Sequence, residues 1–351
     1  MPARILNRRA VGIFLVAFFL IVFPFLHDWP FFTLFIGEFR TFNATMFGVW
    51  LLILLGMNLL TGYTGQISLG HAGLVLISAY TTAILSQQYG FPLLVAILVS
   101  SGTTGLIGGV LIGFPAVRLR GPYLAIATFG LMISLPQILK LSSLEQWTNG
   151  ALGVSGSRLQ PPGFLDGLLN SGDWLYYITW VVTVVMTILF WNLTRSRIGR
   201  AFIALRDSET GAEQMGIDVR RHKALAFGIS STYAGVGGGL FFAVQGFVSP
   251  DSLNFFDSIF FLVAIVIGGL GSILGTILGA LFLTFQAEGI SEIARIIPAV
   301  NDLRNFIFGG FLILVIVLFP RGLAGFLQGS STWSPGRLWL GIRRVWVSWR
   351  R

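Results

Sequence analysis

Few side chains in this sequence can do chemistry, and they fall into two groups. The first is the stretch 61–71, where Gly62, Gly65 and Gly70 are interleaved with Tyr63, Thr64, Gln66, Ser68 and His71. Hydroxyls, an amide and an imidazole beside glycines can line a path for a polar solute. Ser68 and His71 are the one nucleophile–base pair at short spacing. Three apart on one helix, their side chains run too nearly parallel to align as a catalytic dyad. The second group is Arg206, Asp207, Glu209 and Glu213, charges of both signs close together in one polar stretch. Metal and redox chemistry have little to work with. Cysteine is absent, and the three histidines (His27, His71 and His222) are far apart in the chain. No G-x-x-x-x-G-K-[ST] loop occurs, and neither lysine, Lys140 or Lys223, follows anything like one. The expectation is a protein that is not an enzyme, with no cofactor and no ATP cradle of its own.

The elements that must position these residues follow from composition. Of 351 residues, 54% are hydrophobic and 11% charged, and the mean hydropathy is +0.81. A soluble domain carries about 25% charged residues. So little polar surface excludes a soluble globular enzyme and a disordered chain. The net charge of +9 has no dense basic run outside the far C-terminus, so nucleic acid is not an expected partner. The class is an all-α, polytopic integral membrane bundle.

A spanning helix needs about 20 apolar residues. Ten candidate spans result: 10–26, 42–60, 71–88, 91–112, 122–141, 174–194, 222–246, 257–271, 275–294 and 303–320. The first follows Arg4, Arg8 and Arg9 without a small-residue cleavage site and is read as a retained helix. With both termini cytoplasmic, only Arg40, Lys140, Arg158, Arg295 and Arg304 fall outside, and the other 18 of 23 basic residues fall inside. One long helix over 257–288 would break this parity. The Gly268-Gly269-Leu270-Gly271-Ser272 break restores it, as a hairpin of two spans or a re-entrant pair.

Residues 1–320 therefore read as the membrane domain, with an external Gly/Ser/Pro-rich loop at 142–173 and a cytoplasmic loop at 195–221. Residues 321–351 read as a basic amphipathic cytoplasmic tail, lying on lipid with Trp339, Trp346 and Trp349 on one face. The inner loop reads as an amphipathic stretch from Ser196 to Ala204, then a short helix starting at Arg206–Glu209 and ending at Gly216. Such a helix pair either docks as a knob on a soluble partner or lies flat on the bilayer. The glycines of 61–71 disfavour helix, and irregular backbone at membrane depth persists only when buried in protein or lining a wet cavity. That stretch, with Thr128, is either part of the translocation path or a glycine-packed turn. Gly-x-x-x-Gly pairs at Gly105/Gly109/Gly113, Gly235/Gly239 and Gly271/Gly275/Gly279 let helices approach closely.

Several runs together resemble one family. They are Asn58-Leu59-Leu60-x-Gly62-Tyr63-x-Gly65-Gln66-x-Ser68-Leu69-Gly70-His71-Ala72 and Arg118-Leu119-Arg120-Gly121-x-Tyr123-x-Ala125-Ile126-x-Thr128. Next come Gly199-Arg200-Ala201 with Arg206-Asp207-x-Glu209-x-x-Ala212-Glu213-x-x-Gly216-Ile217, and Lys223-Ala224-x-Ala226-Phe227 with Ala234-Gly235-x-x-Gly238-Gly239-Leu240. Val248-Ser249-Pro250-Asp251-Ser252, Ile267-Gly268-Gly269-Leu270-Gly271-Ser272 and Pro320–Ala324 complete the set. In order and spacing the chain resembles LivM-type permeases of bacterial branched-chain amino acid ABC transporters. It departs from them at Thr148–Gly156, where T-x-G-x-x-G-I-x-G is the usual run.

The resemblance implies a permease subunit of an ABC importer in the bacterial inner membrane, moving branched-chain or other hydrophobic amino acids. It implies separate ATPase subunits docked on the inner loop, a second related permease as heterodimer partner, and a periplasmic or surface solute-binding protein. Arg206, Asp207, Glu209, Ala212, Glu213 and Gly216 would couple to the ATPase. Gly62, Tyr63, Gly65, Gln66, Ser68, His71 and Thr128 would contribute to the path. Urea-type permeases share most of these motifs and supply the alternative solute class. A stand-alone secondary carrier is the other alternative, but for the buried ionisable residue that ion coupling usually needs the spans offer only His71, with Asp257 and Glu288 near span ends.

Overall fold

The computed structural model describes residues 41–116, 119, 122–156, 160–161, 170–296 and 322–327. Four of its helical stretches are long and apolar enough to cross a membrane, and a fifth passes if a bent pair counts as one span. The expected spans at 10–26 and 303–320, and the amphipathic tail helix from residue 334, lie outside the described residues.

Helix α1 (Thr41–Asn58) runs on without a break into a π-helical turn, Leu59–Tyr63. The widened turn is seen in Thr64 N–H donating to Leu59 O at 3.1 Å, five residues back. Helix α2 (His71–Gln87) follows an irregular segment, 64–70. Helix α3 (Leu93–Ile107) also widens, through a π turn at Gly108–Ile112, before its last helical residues Gly113–Ala116. Helix α4 (Pro122–Leu139) bends by 68° into the short helical segment Ser142–Thr148. Then come α5 (Ser171–Arg195), α6 (Arg197–Asp207), α7 (Glu209–Gln214) and α8 (Val219–Gln245). A helical hairpin of α9 (Phe255–Gly268) and α10 (Ile273–Ile296) follows, and α11 (Gly322–Leu327) packs against it through Leu323.

Helix α8 is the hub, and its glycines explain why. A helix that is apolar all round must be enclosed by neighbours. In α8 each glycine admits a different one: Gly235 lies on Ser101 of α3, Gly237 on Ile53 of α1, and Gly238 on the Val75 carbonyl and Ser78 of α2. Farther along, Gly109 of α3 sits so close to α8 that a Cβ would be 3.2 Å from the Gly228 Cα. At Gly113 it would be 3.0 Å from the Ala224 Cα. The Gly-x-x-x-Gly pattern of α3 is therefore a helix-contact surface, and on another side of α8 Ser78 Oγ ties α2 to it by donating to the Gly235 carbonyl at 2.6 Å.

The break at 268–272 is a tight hairpin, with Gly269 at φ 128° and Gly271 at φ 70°. At Gly279 a Cβ would collide with the Ala264 carbonyl, and at Gly275 with that of Gly269, so the two arms touch backbone to backbone. With 14 residues, α9 rises only about 21 Å and falls short of a hydrocarbon core of about 30 Å.

Segments expected on the same side of the membrane meet at the same end of the bundle. At one end Gln88 Nε2 donates to the carbonyls of Gln146 and Trp147, Lys140 pairs with Asp251 at 2.9 Å, and Val154–Ser155 (β1) pairs antiparallel with Phe247–Val248 (β2). The Thr148–Gly156 run thus forms part of a cap. Thr148 Oγ1 donates to the Leu139 carbonyl at 2.8 Å, and Gly150 and Gly153 take positive φ. At the opposite end lie 61–66, the α6–α7 pair and the hairpin turn.

Candidate functional site

The two residue groups expected to do separate jobs are brought into contact at that opposite end. Their meeting point is built on Asn58, the last residue of α1, which is fully buried. Its Nδ2 donates to Thr276 Oγ1 at 2.7 Å and to the Ser272 carbonyl at 3.1 Å, while its Oδ1 accepts the Gly271 N–H at 2.9 Å. One amide thereby staples α1 to the α9–α10 turn. Gly62 fits because a Cβ there would strike both the Asn58 amide oxygen and the Gly271 nitrogen. Arg206, at the end of α6, donates from Nη1 to the Gly62 carbonyl at 2.8 Å.

Past Gly65 the chain turns back into the bundle. His71 Nε2 lies 3.1 Å from the Ile53 carbonyl and therefore carries the proton. Ile53 is five residues before the end of α1 at Asn58, so the His71 ring meets α1 about 7 Å back along its axis from that end, with the π turn beyond. Irregular backbone at that depth needs protein partners, and it has them. Leu69 N–H donates to Thr128 Oγ1 at 2.9 Å, Gly70 N–H to Ser68 Oγ at 3.4 Å, and Ala72 N–H to Ser258 Oγ at 3.0 Å. The amides just before and at the start of α2 are thus met by hydroxyls from α4, the loop itself and α9. Ser68 lies in the loop and not on the helix with His71, which corrects the expected shared helix but still leaves no aligned dyad. Gln66 is buried with its Nε2 on Thr64 Oγ1 at 3.2 Å. Its Oε1 and the Nδ1 of His71 have no partner among the described residues. Tyr63 packs edge-on against Phe190 at 5.6 Å.

The inner helix pair forms as expected, with one shift. Ser196 caps α6 by accepting the N–H groups of Ile198 and Gly199. Arg206 and Asp207 close this first helix, whereas they were expected to open the second. Ser208 provides the break, with extended backbone and a side chain that caps α7 on Gly211 N–H at 3.0 Å. Helix α7 ends in a Schellman motif: Ile217 N–H reaches the Ala212 carbonyl and Gly216 N–H the Glu213 carbonyl, both at 3.0 Å, with Gly216 at φ 80°. Ala212 is buried underneath, while Glu213, Gln214, Met215 and Gly216 form an exposed tip.

Lys223 anchors this pair and was not singled out from the sequence. Its side chain is 4% exposed, with Nζ 2.7 Å from Glu209 Oε1. The available signal was rarity: an apolar chain with two lysines has reason to pair each, and the other, Lys140, is paired as well. Asn58, Ser258 and Thr276 were missed too, since nothing local marks which hydroxyl or amide will meet a distant helix.

Helix α4 supplies one more surface. Leu124, Thr128, Met132, Leu135 and Leu139 are buried at helical spacing, whereas Gly130, Ser134 and Gln137 lie on the exposed side. An apolar cavity of 210 Å³ adjoins Thr128 between α3 and α4, lined by Ile107, Leu111, Leu124 and Leu131 among others.

Comparison with known proteins now bears on this arrangement. Residues 40–316 match the family described as "Branched-chain amino acid transport system / permease component". The chain belongs to this permease family. It is similar to the high-affinity branched-chain amino acid transport system permease protein LivM of Escherichia coli (strain K12), 34% identical over 301 residues, covering 80% of this chain and 68% of the relative. It is likewise similar to LivM of Salmonella typhimurium (strain LT2), 34% identical over 304 residues with the same coverage. The autoinducer 2 import system permease protein LsrC of Klebsiella pneumoniae is 32% identical over 223 residues, covering 62% of this chain and 60% of the relative. No solved structure matches. The resemblance carried by the motifs is thus upheld, and the chain is a membrane permease of this transport family.

Proposed function

We propose that this chain is the membrane-spanning permease subunit of an ABC importer for branched-chain or other hydrophobic amino acids in a bacterial inner membrane, driven by ATP hydrolysis in separate subunits. The similarity to LivM at 34% identity supports the solute class. The observation that carries the coupling role is the α6–α7 pair: capped at both ends and pinned by a buried lysine, it holds a rigid exposed tip at the end where the inner loops gather. A stiff projection transmits displacement, whereas a floppy loop would absorb it. In this reading Asp207, Glu213, Met215 and Gly216 face the ATPase, while Arg206, Glu209 and Ala212 hold the tip to the bundle. The segment Gly62–His71 with Thr128 belongs to the moving part of the path, where Gln66 Oε1 and His71 Nδ1 are free to meet a zwitterionic solute. A second, related permease completes the pathway in this reading, as the family resemblance implies.

The finer topology belongs to the same reading: about ten spans, both termini cytoplasmic, a membrane domain to residue 320 and a lipid-associated tail, with no ATP site in this chain. The test is reconstitution of the permease pair with its ATPases and solute-binding protein in liposomes. Leucine, isoleucine or valine with the binding protein is expected to stimulate ATP hydrolysis and uptake. Stimulation by urea alone would move the solute class, and ion-driven uptake by the lone chain would replace the reading by a secondary carrier.

A further inference from the structure

Gly62 and Gly65, three residues apart, and Gly271, far along the chain, line one side of the Arg206 side chain, which otherwise stays 42% exposed. At Gly65 a Cβ would lie 3.0 Å from Arg206 Cγ, and at Gly271 one would lie 3.3 Å from Arg206 Nη1 and 3.2 Å from the Gly62 carbonyl. Gly65 and Gly271 both hold φ 70°, a conformation that side chains disfavour. The guanidinium enters this socket to reach the Gly62 carbonyl at 2.8 Å, while Nε keeps Asp207 Oδ1 at 3.4 Å. That carbonyl belongs to the last turn of the α1 stretch, where helix geometry supplies no partner. A cation there is doubly favoured, by the charge-assisted bond and by the negative end of the helix dipole. On the far side of Gly62, Asn58 fixes the hairpin turn.

We infer that Arg206 is a positioning residue that links the inner knob to the broken end of α1. Through Gly62, a displacement of α6–α7 is passed directly to the α1 end, to the segment 64–70 that turns back from it, and to the α9–α10 turn. Arg206 does not contact the ATPase; it makes the knob and the gate one moving part. This rests on the importer reading above and deepens it.

The experiment uses the complete complex in proteoliposomes and reads three quantities: assembly with the ATPase subunits, ATP hydrolysis, and solute imported per ATP. Wild-type uptake that is independent of ATP would end the importer reading itself, and that arm is scored first. With wild type transporting, Arg206→Ala is expected to assemble and hydrolyse ATP but to import about tenfold less solute per ATP, the size of a typical coupling between sites. Arg206→Lys keeps a donor for the carbonyl and is expected to recover part of the loss. Gly65→Ala, which leaves Arg206 intact but crowds its stem, is expected to uncouple as well. The inference is overturned if Arg206→Ala imports solute per ATP as wild type does. It is equally overturned if Arg206→Ala fails to assemble, which would make Arg206 a docking residue, or if Arg206→Lys assembles but is no better than alanine.

Discussion

At the residue scale, the two buried polar anchors matter most because each ties two distant elements together. Lys223 and Glu209 form an ion pair with one side enclosed and the other partly exposed. Breaking a buried pair costs several kcal/mol and an exposed one less than about 1 kcal/mol, so Lys223→Ala is expected to cost about 2 kcal/mol. Thermal unfolding of the purified chain in detergent checks this, and Lys223→Met should recover part of the loss by filling the volume. Asn58→Ala leaves the partly buried Gly271 N–H without its acceptor and removes two further bonds. The expected loss is about 2–3 kcal/mol by the same measurement. A melting point unchanged by Asn58→Ala would mean that the hairpin turn is held by packing alone.

At the element scale, close helix contact and the terminus of α7 can each be disturbed alone. Gly109→Leu puts an isobutyl group where a Cβ alone already lies 3.2 Å from Gly228, and it must push α3 off α8. The expected outcome is a folded-protein yield reduced severalfold, checked by size-exclusion profile, with Gly130→Leu as a control that has open space. Gly216→Pro cannot take φ 80° and breaks the Schellman motif, while Glu213→Lys reverses the charge of an exposed tip residue. Both are expected to insert normally and yet separate ATP hydrolysis from uptake; normal coupled transport in both would place the docking surface elsewhere. The stop at Gly216 was legible from sequence as local chemistry, whereas the caps at Ser196, Asp218 and Asn254, equally local, were not singled out there. The early turn-back after Gly65 was not legible, because its stability comes from Thr128 and Ser258 on other helices.

At the scale of the whole molecule, sidedness can be tested directly because the chain contains no cysteine. Met215 and Leu152 are each 83% exposed at opposite ends. A membrane-impermeant thiol reagent applied from outside is expected to label Leu152→Cys in intact spheroplasts and Met215→Cys only after lysis. Labelling of both from one side would overturn the inside–outside alternation. The hydropathy and the order of motifs were enough for membrane class, helical content and family, since these depend on transfer free energies and local backbone preference that each segment carries by itself. Which glycines face which helix, that Arg206 turns inward to Gly62, that Lys223 is buried on Glu209, and that α2 starts deep beside Ile53 required the packed chain. Those contacts join residues up to 218 positions apart, and no local rule chooses among the many hydroxyls and carbonyls that could have met; only the shared burial of several helices makes one set of partners cheaper than leaving polar groups unpaired.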